Sequence, residues 1–123
     1  MTTLIEAIAR IEGFYIAGSR SQRNNNPGDL NFELYMAESY GATLETVPSG
    51  HTFTPRFAHF PNAGIGWAAL HDLLSGPHYA DLTIEAAINK YAPPVENQTQ
   101  NYVQFVCRAV GCQPTDIVKE VLG

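Results

Sequence analysis

Glu12 is an acidic residue on the apolar face of a predicted helix. The segment LIEAIARIEGF predicts an amphipathic helix, and at about 100° per residue Glu12 falls between Ile5 and Ile8 in its last turn. Burial and the negative end of the helix dipole both favour the protonated form of a carboxyl. A carboxyl that keeps its proton can act as a general acid and donate that proton to a leaving oxygen. The alternative is a Glu that bends out to water or is held by Arg23 or an amide.

The composition narrows the kinds of partner. The chain has 123 residues, of which 45% are apolar, which predicts a single domain over 1–123. The net charge of −5, with the few basic residues scattered, argues against nucleic-acid binding. No signal-peptide pattern and no run of 18 apolar residues occurs, so we expect synthesis in the cytoplasm and no membrane insertion.

The cysteines and histidines show no pattern of a metal or redox site. Cys107 and Cys112 lie five residues apart, a spacing that matches no zinc or redox motif, so we expect small core or surface thiols. The four histidines have no metal-ligand spacing among themselves or with the thiols. The sequence therefore predicts no metal and no cofactor.

The elements expected around Glu12 form a mainly helical α+β domain, with a small antiparallel sheet inserted after the first helix. Strand candidates lie at 30–32, 44–47 and 53–60, with a short helical piece at 33–40 and a hairpin turn at PSGH. Later helices are predicted at 64–74, from an N-cap at Thr83 to a stop before Pro93, from a cap at Asn97 or Thr99 to an end at Gly111, and from Pro114 or Thr115 to Leu122.

Three motifs occur in order along the chain: RNNNPGDL, FAHFPNAGIGWAAL and INKYAPPVENQTQNYVQFV. With the preceding Glu, they make the chain from Ile8 to about Val106 similar to muramidase or lytic-transglycosylase-like domains of phages and bacteria, within the lysozyme-like superfamily. The resemblance implies a lysozyme-like fold, with the catalytic-Glu helix first, a small β-hairpin lobe and then a helical lobe. It implies that Glu12 is the catalytic acid of a glycosidase that cleaves the β-1,4 bond between N-acetylmuramic acid and N-acetylglucosamine.

The first two motifs supply candidates for substrate binding. Asn24 and Asn26 could bind sugar hydroxyl or acetamido groups, although an Asn before Pro-Gly also builds a turn by bonding its own backbone. Tyr15, together with Phe14, is a candidate for stacking on a sugar ring. Trp67 is expected in the core.

The third motif supplies four more candidates. The resemblance places Tyr91, Asn97, Thr99 and Tyr102 against Glu12, where they could orient its carboxyl or line the cleft. Asn97 or Thr99 can also serve only as a helix cap, which needs no ligand.

A second catalytic carboxylate is not specified by the motifs. Asp29 stands where the motif more often has Asn, Glu45 lies in a possible hairpin, and Glu38 lies in the short helical piece. Either a hairpin residue activates water, which gives hydrolysis, or the substrate's own N-acetyl group or C6 hydroxyl completes the reaction. Use of the C6 hydroxyl would make the protein a lytic transglycosylase. A noncatalytic wall-binding or virion structural domain is the alternative of a different class.

The resemblance also implies a partner and a place of action. We expect a monomer that binds peptidoglycan glycan strands. Because no export signal is recognised, a holin-released endolysin, a virion component and an injected effector are all compatible with the sequence.

Overall fold

The computed structural model describes residues 1–93 and 98–123. The chain divides into two compact units, which are described separately. The helical unit comprises Met1–Ile11 and His71–Gly123, and the loop-rich unit comprises Glu12–Leu70. The coarse prediction of a mainly helical α+β protein with an antiparallel strand pair is confirmed.

Helix α1 (Leu4–Ile11) opens the helical unit. Its predicted capping box forms, since the Thr3 hydroxyl accepts from the Glu6 backbone N–H at 3.2 Å and the Glu6 carboxylate accepts from the Thr3 N–H at 2.9 Å. Leu4 and Ile8 are buried. The helix ends at Ile11, one residue earlier than predicted.

The other helices of this unit are α5 (Ile84–Tyr91), α6 (Thr99–Val110) and α7 (Val118–Val121). Helix α6 packs against both α1 and α5. The predicted cap of α5 is confirmed, because the Thr83 hydroxyl accepts from the Ala86 N–H at 3.1 Å. Gly111 ends α6 in the left-handed region, as expected.

Two helix starts differ from the prediction. Thr99 does not cap α6, because it is the first helical residue and its hydroxyl donates to the Ala92 carbonyl at 2.6 Å. The other proposed cap, Asn97, lies outside the described residues. Helix α7 begins at Val118, since the Asp116 carboxylate holds the preceding residues in a turn by accepting from the Gln113 N–H at 2.9 Å.

The loop-rich unit contains α2 (Arg20–Arg23), α3 (Tyr35–Tyr40), β1 (Thr43–Leu44) and β2 (Ala58–His59). Helix α4 (Ala63–Ser75) begins in this unit and ends in the helical unit. The first strand candidate is reduced to an isolated bridge, Asn31 to Phe57. The short helix α2 was not expected from the sequence.

The strands are shorter than predicted because a side chain occupies the strand ladder. β1 and β2 pair antiparallel over two residues, Thr43 with His59 and Leu44 with Ala58. Directly after β1, the Glu45 carboxylate accepts from the backbone N–H groups of Arg56 and Phe57, at 3.0 and 2.8 Å. The sheet therefore stops where Glu45 begins to supply the acceptors that a partner strand would supply.

Candidate functional site

Glu12 lies in the turn that follows α1 and is half-buried. Gly13, next to it, has a φ of +87°, which glycine adopts without steric cost. The Gly13 carbonyl accepts hydrogen bonds from the Ile16 N–H at 3.0 Å and from the Ser19 hydroxyl at 2.7 Å. Glu12 thus lies at the start of a loop that is held by hydrogen bonds to the carbonyl of the next residue, Gly13.

Asp29 comes from the RNNNPGDL loop and has a φ of +50°. Asn25 in the same loop has a φ of +52°, and both residue types tolerate the left-handed region better than most. The Asp29 N–H donates to the Asn26 carbonyl at 3.1 Å, which closes a tight turn across Pro27 and Gly28. This turn orients the Asp29 side chain.

The carboxyl groups of Glu12 and Asp29 meet within the loop-rich unit. Burial, a hydrogen bond with the Glu12 side chain and the charge of Glu12 together raise the pKa of Asp29 to about 8, while Arg20 acts against this rise and Glu45 adds to it. Oδ1 of Asp29 is buried and receives no hydrogen bond within the described part of the chain. Asp29 therefore retains its proton near neutral pH beside the Glu12 carboxyl, and these two carboxyls are called the acid pair below.

A second carboxylate, Glu45, has the opposite environment. Burial alone would raise its pKa, but hydrogen bonds from the Arg20 guanidinium, from the Arg56 and Phe57 backbone N–H groups and from the Asn24 amide lower it to about 2. Arg20 Nε donates to Glu45 Oε1 at 2.9 Å, and Asn24 Nδ2 donates to the same oxygen at 3.0 Å. Glu45 is therefore an ionised carboxylate whose oxygens are hydrogen-bonded within the protein, which indicates a structural role.

Arg20 is held in place on both faces of its guanidinium. Its central carbon lies 3.9 Å from the centre of the Phe53 ring and 4.2 Å from the centre of the Phe57 ring. Two of its nitrogens donate to Glu45. Arg20 and Glu45, called the ion pair below, thus form a fixed unit close to the acid pair.

The asparagines predicted to face sugar have partners inside the protein. Asn24 is 6% exposed, with its amide nitrogen on Glu45 and its oxygen 3.3 Å from the His59 ring nitrogen. Asn26 is fully buried, and its side chain bonds the Leu30 N–H and carbonyl and the Ala58 carbonyl, at 2.9, 3.0 and 2.9 Å. These contacts favour the structural alternative for both residues.

Asn25 connects the same loop to α4. Its side chain donates to the Phe60 carbonyl at 3.0 Å. Its own carbonyl lies so close to Gly66 that a Cβ at that position would come within 1.9 Å of the oxygen. The second motif thus contributes a glycine that lets the first motif pack against the helix.

Tyr15 lies in an aromatic cluster with Phe14 and Trp67. Phe14 makes edge contacts with the other two rings, with centroid distances of 5.7 Å to Tyr15 and 5.3 Å to Trp67. Tyr15 is 49% exposed and Trp67 is half-buried, so the prediction that Trp67 belongs to the core is wrong. The cluster follows Glu12 directly in sequence and presents an aromatic edge to solvent.

The remaining candidates belong to the helical unit. Tyr91 is half-buried and packs on the edge of Tyr79, with centroids 6.3 Å apart. Thr99 and Tyr102 are each 5% exposed. Tyr102 borders a cavity of about 280 Å³, whose other lining residues are Ile11, Gln98, Asn101 and Phe105. Of the predicted site residues, Glu12, Tyr15, Asn24 and Asn26 share one unit, and Tyr91, Thr99 and Tyr102 share the other.

The contact between Glu12 and Asp29 was not predicted from the sequence. From the sequence, Asp29 and Glu45 were considered only as second catalytic carboxylates. The available signal was the Asp that follows Asn-Pro-Gly, where the similar domains more often have Asn.

The chain matches no protein-family model and no curated protein. Within residues 1–93 and 98–123, no group of three or more His, Cys, Asp or Glu side chains is arranged to hold a metal ion. In the same part of the chain, no helix is long and apolar enough to cross a membrane. The resemblance therefore rests on the three motifs and on the site residues.

Proposed function

We propose that this protein is a peptidoglycan glycosidase of the lysozyme-like type, with Glu12 as the general acid. The observation that carries the proposal is the acid pair, in which half-buried Glu12 contacts Asp29 and the Asp29 carboxyl retains a proton near neutral pH. Cleavage of a glycosidic bond needs a carboxyl that is still protonated near neutral pH, and the acid pair meets this need.

The chemistry begins with proton transfer to the bridging oxygen. Glu12 protonates the oxygen between N-acetylmuramic acid and N-acetylglucosamine while the bond from that oxygen to the muramic C1 breaks. An oxocarbenium-like state develops at C1, and N-acetylglucosamine leaves as an alcohol. The Glu12 carboxylate that remains can then accept a proton from the group that attacks C1.

The distance between the two carboxyls of the acid pair limits how the second step, the attack on C1, can proceed. Carboxyls that flank the sugar are about 5–5.5 Å apart in retaining enzymes and about 6.5–9.5 Å apart in inverting ones. Hydrogen-bonded carboxyl oxygens are only about 2.5–3.0 Å apart, so Asp29 is too close to Glu12 for either arrangement. Glu45 is already bonded to Arg20.

With Asp29 and Glu45 set aside as partners of Glu12 in the second step, attack by the substrate itself is favoured. If the muramic C6 hydroxyl attacks C1 and gives its proton to Glu12, the product is a 1,6-anhydro sugar and no water is consumed. The acid pair thus favours the lytic transglycosylase alternative over hydrolysis, on the same bond and with the same acid.

The proposed partner is a glycan strand of peptidoglycan. The exposed edge of Tyr15, backed by Phe14 and Trp67, offers a surface for stacking against a sugar ring. The roles predicted for Tyr91, Asn97, Thr99 and Tyr102 remain predictions. Their low exposure limits Thr99 and Tyr102 to indirect effects.

The experiment is clearing of purified cell walls by the wild type and by Glu12→Gln, which keeps the shape and removes the transferable proton. We expect the variant to lose about 10²- to 10⁴-fold in rate. Glu33→Gln is the matched control, because Glu33 is an exposed acid of the same unit, and its rate should equal that of the wild type.

Two outcomes would overturn the proposal. Equal clearing by the wild type and Glu12→Gln removes Glu12 from the chemistry. Wall binding by the wild type without any clearing favours a noncatalytic wall-binding domain. Intact folding of each variant is checked by its thermal melt.

A further inference from the structure

We propose that Asp29 is a positioning residue that keeps a proton on the acid pair into mildly alkaline pH and so sets the upper pH limit of cleavage. This inference rests on the proposed function, because it assigns a role to Asp29 through Glu12. It concerns a residue at which this chain differs from the motif of the similar domains.

The geometry of Asp29 leaves it short of hydrogen-bond donors. Its Oδ1 is buried and has no donor among residues 1–93 and 98–123, and its side chain contacts another acid, Glu12. Buried carboxylate oxygens are almost always satisfied by N–H or hydroxyl groups. A proton on one of the two carboxyls supplies the missing donor, because a protonated carboxyl can donate to its ionised neighbour.

The charges around the acid pair do not replace that proton. The groups that act on Asp29 are Glu12, Arg20 and Glu45. Arg20 is the cation among them, but two of its nitrogens donate to Glu45. Since Glu45 is itself negative, the ion pair offers Asp29 little net positive charge, and a second negative charge on the acid pair stays unfavourable.

The backbone at Asp29 does not require an acid. A φ of +50° suits Asn at least as well as Asp, and the turn bond comes from the main-chain N–H. An Asn at this position would fill the same space and could donate its amide to Glu12. An amide donor stabilises the ionised form of a carboxyl, whereas a second carboxyl destabilises it. Asp29 instead of Asn thus changes which form of the neighbouring carboxyl is favoured, while the turn stays the same.

The role of Asp29 in the reaction follows from this balance. Before cleavage the acid pair holds one proton, and Glu12 passes it to the bridging oxygen, which leaves both carboxyls ionised. The unfavourable contact between two ionised carboxyls then increases the tendency of Glu12 to take a proton back from the attacking hydroxyl. Asp29 therefore supports both proton transfers without touching the substrate.

The first test is the pH dependence of cell-wall clearing between pH 4 and 9 for the wild type and Asp29→Asn. We expect the wild-type rate to fall on the alkaline side near pH 8. The fall for Asp29→Asn should come at least one pH unit lower, with the best rate retained within about fivefold. Glu33→Gln, a change at an exposed acid of the same unit, should reproduce the wild-type profile. Identical profiles for the wild type and Asp29→Asn would overturn the inference.

The second test needs no activity. Carboxyl carbon NMR of the substrate-free wild type, isotope-labelled at Asp and Glu, follows the titration of Asp29 directly. We expect its signal to titrate well above pH 6 in the wild type, and at lower pH in Glu12→Gln, where its neighbour is neutral. Titration of Asp29 near pH 4 in the wild type would contradict the inference.

The two tests separate the inference from the proposed function. If Asp29 titrates above pH 6 but Glu12→Gln clears walls at the wild-type rate, the shared proton stands and the glycosidase proposal falls. If Glu12→Gln is inactive but Asp29 titrates near pH 4, the glycosidase proposal stands and the role of Asp29 falls. The wild-type titration also decides the matter if Asp29→Asn does not fold.

Discussion

The acid pair and the ion pair are two carboxylate sites in the same unit with opposite electrostatics. Glu45 accepts hydrogen bonds from five donor groups, and its pKa is lowered to about 2. Asp29 has an acid as its neighbour and a buried oxygen that no donor of the described residues reaches, and its pKa is raised to about 8. Burial acts to raise the pKa at both sites, so burial alone does not explain the difference.

The difference shows that the number of hydrogen-bond donors around a buried carboxyl oxygen determines the direction of its pKa shift. Glu45 stabilises the unit because its charge is matched by Arg20 and by backbone N–H groups. Asp29 destabilises the unit when it ionises, because Arg20, the cation that acts on it, is already bonded to Glu45. Residues of functional sites often lower the stability of the fold in this way, which is consistent with the role proposed for Asp29.

The largest expected effect on stability comes from breaking the ion pair. Glu45→Gln leaves Arg20 without its anion and replaces two carboxylate acceptors by one amide oxygen. We expect a loss of about 3–5 kcal/mol in the free energy of unfolding, measured by urea denaturation at pH 7. A loss below about 1 kcal/mol would show that the ion pair is not the anchor described above.

Glu45 also predicts a specific acid sensitivity. Its folded pKa of about 2 lies below the ordinary value of 4.5 for Glu, so its contribution to stability is present above about pH 4.5 and is lost as the pH falls towards 2. The wild type should lose stability across this window, and Glu45→Gln should lose less. Parallel loss in both proteins would contradict the assignment.

The packing that carries both pairs can be disturbed at one glycine. In Gly66→Ala the new Cβ would overlap the Asn25 carbonyl, so the loop or α4 must shift, at a cost of about 1–3 kcal/mol. Gly64→Ala is the matched control on the same helix, because the nearest atom to its Cβ is the Asn62 side-chain oxygen at 3.3 Å. Equal thermal melts for the two variants would show that the close approach is unimportant.

Removing the charge of Asp29 should stabilise the protein. Because the folded pKa of Asp29 is raised, the wild type loses stability as the pH rises from about 4 to 8, and Asp29→Asn does not share this loss. We expect the variant to be about 1–3 kcal/mol more stable at pH 8 and nearly equal to the wild type at pH 4. A variant less stable than the wild type at pH 8 would mean that the ionised Asp29 carboxylate stabilises the fold.

The smallest effect is expected at the aromatic edge. Tyr15→Ala should slow wall clearing about threefold to tenfold and change the free energy of unfolding by less than about 1 kcal/mol, because the ring is half-exposed. Tyr35→Ala in α3 is the control, since Tyr35 is 54% exposed. Equal rates for both variants would remove Tyr15 from the binding surface.

The elements set by local signals could be predicted from the sequence. The capping box at Thr3 and Glu6, the cap at Thr83 and the glycine end of α6 at Gly111 each depend on neighbouring residues, and all three form. The lengths of the strands could not be predicted, because the ladder is interrupted by Glu45, whose bonds to Arg56 depend on tertiary structure.

The place of Glu12 at the end of α1 could be predicted from the sequence, but its surroundings could not. Glu12 is a candidate because it follows an apolar helix and precedes the motifs. Its contact with Asp29 depends on how two loops fold, and on a left-handed backbone that the sequence only hints at through Pro27 and Gly28. The asparagine motif was ambiguous because side-chain amides serve turns and ligands equally well.

The most direct test of the central claim is mass spectrometry of the fragments released from purified peptidoglycan by the wild type and by Glu12→Gln. The account predicts that the wild type releases muropeptides whose mass is lower by one water, the mark of a 1,6-anhydro end, and that Glu12→Gln releases none above background. Release of the same fragments by Glu12→Gln at the wild-type rate would contradict it.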